Sequence, residues 1–371
     1  MQNISELFPL YSRVIEIMNR IWEIKYTDEM DYIVEGLDND EIDESLRMMV
    51  GLMDDERFKT YMKESRHLEE MIQVVSKKKM SKSASSMLIE ALSQVFNPYS
   101  FTDLGGLFKT LLMIFDDLLP DRTSLDSFSC IESKTKAIVE ILRKIPIKWY
   151  SRLSKCVELR KIVLGLQVFM SEGIIKWNKF LLSLLAECPE FDLSEGFIEI
   201  LLKKGKNYEV IANYTKLEEN VGRLSLSPNF KIYLRKAVLK EFIKSKNCRS
   251  LEDVPKGNFS DTIPSVLKRR EESPRVLNRR KYLMIILVNL VSKNFHLGIP
   301  LGIIARVYHT VDKVTRCYVA LLLLISIQGS EKDAIQSAYA EDLKENVRCL
   351  AFDPSRYLCK EVLDRLVEIS S

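Results

Sequence analysis

The residues best placed to do chemistry lie in one string, Phe115-Asp116-Asp117-Leu118-Leu119-Pro120-Asp121-Arg122, after the apolar run Leu111-Leu112-Met113-Ile114. Carboxylates gathered at a helix end can hold Mg²⁺, and the ion can hold a diphosphate. Pro120 keeps Leu119 out of helical geometry, so Asp121 is expected to leave the face that carries Asp117. The three histidines, His67, His296 and His309, have no ligand pattern around them. The cysteines are Cys130, Cys156, Cys188, Cys248, Cys317, Cys349 and Cys359, and the nearest two are ten residues apart. No CxxC, CxxH or HxxxH occurs, which excludes a zinc site built from local spacing. The chain also lacks GxSxG, a P-loop, GxGxxG and HExxH. Gly105-Gly106 reads as a close packing point rather than a phosphate cradle, and Glu69-Glu70 and Glu218-Glu219 read as solvated carboxylates.

The aspartate string resembles the first aspartate-rich motif of the all-helical isoprenoid synthases. That resemblance implies a Mg²⁺-dependent diphosphate enzyme using Asp116 and Asp117. The string departs from the family pattern in two ways. Its spacing is DDxxxD, one residue longer than DDxxD, and the nearest downstream acidic partner is only Leu251-Glu252-Asp253. The expectation is therefore no catalytic residue, no metal, no cofactor and no enzyme, with the diphosphate enzyme kept as an alternative.

Charge geography carries more. Residues 1–70 hold 18 acidic and 8 basic side chains, a net of −10, whereas residues 231–281 hold 15 basic and 6 acidic, a net of +9. Lys236, Lys240 and Lys244 recur every four residues, so they line one helix face. Lys268-Arg269-Arg270 and Arg279-Arg280-Lys281 follow, and together the nine could form a positive strip that meets phosphates or an acidic protein. The last two clusters are similar to a bipartite nuclear import signal, and Lys77-Lys78-Lys79 to a monopartite one. Aromatic residues do not interleave with the cations, so a single-strand stacking platform is not expected. The acidic segment Asp28–Glu44 lacks an EF-hand pattern and reads as a solvated loop that could attract a basic partner. The leading functional expectation is a non-enzymatic scaffold or adaptor that binds a protein partner in a nuclear or cytoplasmic assembly through the strip near 231–281. The alternative is a nuclear factor that touches RNA or DNA backbone, in transcription or ribosome assembly.

The elements that must position these groups are helices. The 371 residues include only 13 Gly and 11 Pro, and 46% of residues are hydrophobic. Few chain breakers and no Asn-Gly or Asp-Gly hairpin signal disfavour a many-turn β protein and favour helices. Ser227-Pro228 and Asp353-Pro354 place a capping acceptor before proline at the first helical position. Asp192 and Glu195 have capping-box spacing ahead of the stripe Ile198, Leu201, Leu202, and Lys203-Lys204-Gly205 reads as that helix's end. Phe230, Leu234, Ala237 and Val238 share one face. The fold expected is all-α, either a helical-repeat-like array (an α-solenoid) or an irregular multi-helix bundle. The expected division is an acidic helical segment over 1–75, a central array over 87–247, a long connector over 248–274 and a C-terminal helical segment over 275–371. Ser76–Ser86 reads as an exposed connector. The apolar runs Tyr282–Val291 and Tyr318–Ile327 are about half a bilayer span and are expected to be helices buried on all sides, with no membrane partner.

Overall fold

The computed structural model describes residues 4–118, 125–204, 207–242, 273–295, 308, 311–326, 342–350 and 355–370. The fold is all-α, and among the described residues there is no strand. The chain divides into two compact units. The first comprises Met1–Leu166 with Gly173–Lys176, and the second Gln167–Glu172 with Trp177–Ser371.

The first unit opens with α1 (Ile4–Asp38), then α2 (Ile42–Leu52), α3 (Glu56–Glu64), α4 (His67–Val75), α5 (Lys82–Val95), α6 (Gly105–Asp116), α7 (Leu125–Lys144), α8 (Tyr150–Leu153) and the start of α9 (Val157–Ser171). Helix α1 corrects the expectation of a loop over Asp28–Glu44. Tyr26, Met30, Ile33 and Leu37 recur at helical spacing and are buried, so an apolar stripe runs through the acidic text and holds it helical. Short polar side chains start the next elements. Asp55 accepts from the Arg57 amide at 2.9 Å and Ser81 from the Ala84 amide at 3.0 Å, satisfying amides that a helix start leaves unpaired. The basic Ser76–Ser86 stretch is tied down: Lys78 donates to the Asp38 carbonyl and to Asp40 at 2.7 Å, and Met80 is buried. Packing runs from α1 to α2 and α4, α2 to α5, α4 to α6 and α5 to α7, an array-like order. Gly165 in α9 permits one close approach, since a Cβ there would overlap the Phe115 ring.

The second unit contains the end of α9, then α10 (Lys179–Glu187), α11 (Glu195–Lys204), α12 (Tyr208–Tyr214), α13 (Glu218–Leu226), α14 (Pro228–Phe242), α15 (Pro274–Ser292), α16 (Lys313–Ser326), a helical stretch over 342–350 and α17 (Lys360–Ser370). The cap of α11 is Ser194, whose hydroxyl accepts from the Phe197 amide at 3.3 Å, not Asp192. Asp192 is engaged elsewhere: its carbonyl accepts from the buried Gln167 at 2.8 Å and its carboxylate pairs with Arg223. Helix α14 begins at Pro228 as expected. Helix α15 is buried without a break from Leu283 to Leu290, and α16 from Cys317 to Leu323. Neighbours of α15 come from α12, α14, α16 and α17. A solenoid repeat touches only adjacent repeats, so this unit is an irregular bundle around α15, and the solenoid form of the expectation is not confirmed. Residues 248–272, Asp353 and Pro354 lie outside the described residues.

Candidate functional site

The described members of the basic strip differ in exposure. Phe230, Leu234, Ala237 and Val238 are buried, and Lys236 and Lys240 stand exposed on the rest of α14, as the spacing implied. Lys236 Nζ lies 5.8 Å from the Tyr233 ring, and the Tyr233 hydroxyl donates to Glu199 at 2.6 Å. Lys244, Lys268, Arg269 and Arg270 lie outside the described residues. Arg279 and Lys281 are half-buried. Arg280 is buried, its Nε donating to the Glu241 carbonyl at 3.0 Å, and Arg279 Nη1 lies 3.7 Å from the Glu241 carboxylate, itself buried. This corrects the reading of Arg280 as a surface cation. Residue 280 precedes Leu283, Met284 and Leu287 by three, four and seven, so it shares their buried face of α15.

Asp116 and Asp117 are exposed at the end of α6, and Asp121 lies outside the described residues. Among the described residues no group of three or more His, Cys, Asp or Glu could hold a metal ion. His296 and His309 are outside the described residues. His67 is a bridge: its Nδ1 lies 2.8 Å from the Tyr61 hydroxyl and its Nε2 3.2 Å from Asp31. A cleft of about 380 Å³ in the second unit is lined by Lys313, Arg316, Asp342, Glu345, Asn346 and Cys349. Two cations there face two carboxylates, so the lining has no net formal charge to attract an ionic ligand. No helix among the described residues is long and apolar enough to cross a membrane.

The feature with the largest unmet physical demand is the first half of α1. Every residue from Ser12 to Ile21 is exposed, yet the segment is rich in large apolar side chains. Val14, Ile15, Ile17, Met18, Ile21 and Ile24 are between 45% (Ile15) and 63% (Ile24) exposed. Together they leave about 600 Å² of apolar side chain in water, at the top of the range found for the largest patch on a monomer. Tyr32, 60% exposed, continues the same face where α1 has begun to bury its other side.

The root of this helix is fixed. Trp22 stacks on Tyr26 at 5.8 Å, with the Arg57 guanidinium 5.0 Å from its ring. Tyr26 meets Phe58 edge-on at 5.3 Å and donates to Asp55 at 2.6 Å. Burial, then the bond to the Asp55 carboxylate, pushes the Tyr26 hydroxyl up to about 12. Thr27 meets the Tyr61 hydroxyl at 3.0 Å, which completes a path from α1 through Tyr61 and His67 back to Asp31 on α1. These contacts set the direction in which the apolar face projects. The sequence reading missed that face. The signal was present as Val14, Met18 and Ile21 at spacings of four and three, but a stripe that will be covered looks the same as one that will not.

Comparison with family models, with curated proteins and with solved structures found no match to this chain.

Proposed function

We propose that this protein is a non-enzymatic helical scaffold or adaptor that binds a protein partner within a larger nuclear or cytoplasmic assembly, with the projecting face of α1 as its main contact. One observation carries the reading: six large apolar side chains on one exposed helical segment, held out by a rigid aromatic root. Apolar patches of that size mark sites where a partner removes them from water. The exposed Lys236 and Lys240 supply a second, electrostatic contact. The exposed face of α1 is apolar rather than cationic, which favours protein contact over the phosphate backbone of nucleic acid.

The test is affinity purification at native salt, with and without nuclease, of the natural chain and of a variant carrying Ile17→Asp, Ile21→Asp and Ile24→Asp. The natural chain should retain a stoichiometric protein partner through nuclease treatment, and the variant should lose it. Loss of the partner on nuclease treatment, or equal retention by the variant, would overturn the reading.

A further inference from the structure

Between Ser12 and Ile21 every residue of helix α1 is exposed, nearly three turns. Its large apolar side chains gain from a neighbour that removes them from water. We infer that the neighbour is α1 of a second copy of this chain, packed antiparallel across a two-fold axis. This rests on the docking reading above and names the partner for that same surface.

Register argues for a helix as the occupant. Val14, Met18 and Ile21 are spaced by four and three, and the sequence continues the pattern backward through Tyr11, Leu7 and Ile4. Alternating steps of three and four form the seam along which helices pair. Ile17 and Ile24 widen the seam on one side, and Ile15 and Trp22 on the other.

Area and charge argue for a second copy. The sector that can face one partner helix, Val14, Ile17, Met18 and Ile21, leaves about 400 Å² per chain, so two copies bury about 800 Å², the size of a weak, reversible interface. From Ser12 to Lys25 the charges are Arg13, Arg20 and Lys25 against Glu16 and Glu23, a net of +1. Arg13, Glu16, Arg20 and Glu23 fall on the side of the helix away from Met18, and Arg20 already pairs with Glu16 at 3.1 Å. Lys25 Nζ sits 5.2 Å from the Trp22 ring. A like chain therefore meets no opposing row of like charges on this face, and a strongly basic partner would find no acidic one.

Orientation follows from the root. Asp28, Asp31, Glu35, Asp38 and Asp40 are exposed beyond the apolar segment. A parallel pair would set two such acidic roots side by side, whereas an antiparallel pair puts them at opposite ends and opposes the helix dipoles.

Sedimentation velocity of the full chain over about 1 to 100 μM tests the pairing. The expected result is reversible conversion of the 43.0 kDa chain to a species of twice that mass. Met18→Asp with Ile21→Asp should weaken the dimer at least 100-fold without moving the urea midpoint of the monomer. Ile232→Asp, at a residue 48% exposed on α14, should leave the dimer intact. Pyrene attached to the N-terminal amine should give no excimer emission in the dimer, because antiparallel pairing separates the two N-termini by on the order of 40 Å. A single monomeric species at every concentration, or a dimer untouched by the α1 double substitution, overturns the self-pairing. Excimer emission overturns the antiparallel arrangement. Monomer in this assay together with nuclease-resistant co-purification of a different protein would sink the second-copy occupant while leaving the docking reading standing.

Discussion

Replacing Asn289 gives a sharp test of how the second unit is held together. Asn289 is fully buried in α15. Its amide nitrogen donates to the Tyr357 carbonyl at 2.8 Å, and its amide oxygen accepts from the Cys359 N–H at 3.0 Å. The same nitrogen reaches Thr215 Oγ1 at 3.2 Å and the Ala212 carbonyl at 3.3 Å. Thr215 Oγ1 also donates to the Ala212 carbonyl at 2.9 Å, so those two keep each other when Asn289 is removed. Tyr357 C=O and Cys359 N–H lose the bonds Asn289 supplies. Each orphaned buried group costs about 1–3 kcal/mol, which puts Asn289→Leu near 4 kcal/mol in total. The cost falls on the anchoring of segment 355–359 to α15, so it should appear as local opening. Cys359 is buried in that segment and is the reporter. At a factor of ten per 1.4 kcal/mol, its labelling by a small thiol reagent in native buffer should accelerate about 10³-fold. Cys188, buried at the end of α10, is the internal control and should accelerate far less. Acceleration of Cys359 below about fivefold would mean less than roughly 1 kcal/mol, and the account of Asn289 as the tie between α15 and the C-terminal segment would be wrong.

Other outcomes follow from the same contacts. Arg280→Ala should cost about 1.5–3 kcal/mol, measured by urea unfolding, because it removes a buried charge-assisted bond to the Glu241 carbonyl. Lys236→Ala, at an exposed site, should stay within about 0.5 kcal/mol, and equal effects would contradict the inward placement of Arg280. Gly165→Ala should destabilise by about 1–3 kcal/mol, since the added methyl meets the Phe115 ring, and a neutral result in thermal melts would show that the ring can move aside. Glu69 should make the first unit acid-sensitive. Burial alone would raise its pKa, but the Thr102 hydroxyl at 2.6 Å and the Asp103 and Thr102 amides at 2.9 and 3.1 Å outweigh it and hold the carboxyl below its ordinary value. A depressed carboxyl stabilises the fold above the unfolded pKa near 4.5, and that contribution drains away as pH falls through the lower folded value. Glu69→Gln should therefore be less stable at pH 7 and show a shallower loss below pH 4.5, and parallel stability-against-pH curves for the two chains would refute this role.

Much of the helical plan was legible because its causes are local. Proline at 228 starts α14, and the Phe230–Val238 stripe buries itself as its spacing requires. The long apolar runs of α15 and α16 had no polar face to offer water, so burial on all sides followed. Two misreadings have different origins. Acidic residues between Tyr26, Met30, Ile33 and Leu37 obscure their stripe, so the sequence reads as a loop where α1 continues. Asp192 and Ser194 are both competent caps by type. Which of them caps α11 depended on Gln167, 27 residues before Ser194, whose side chain accepts from the Ser194 amide at 2.9 Å and donates to the Asp192 carbonyl.

Sequence alone determined the class of fold, the positions of most helices and the composition of their apolar stripes, since backbone preference and periodicity act over a few residues. Only the tertiary structure decided what each stripe meets. Arg280 and Lys236 are both cations on basic helices, but one lies against buried Glu241 and the other against water. Met18 and Met30 sit on one helix, but Met18 stands in water while Met30 is fully buried. Burial is a property of what stands opposite a side chain, and residues distant along the chain supply it.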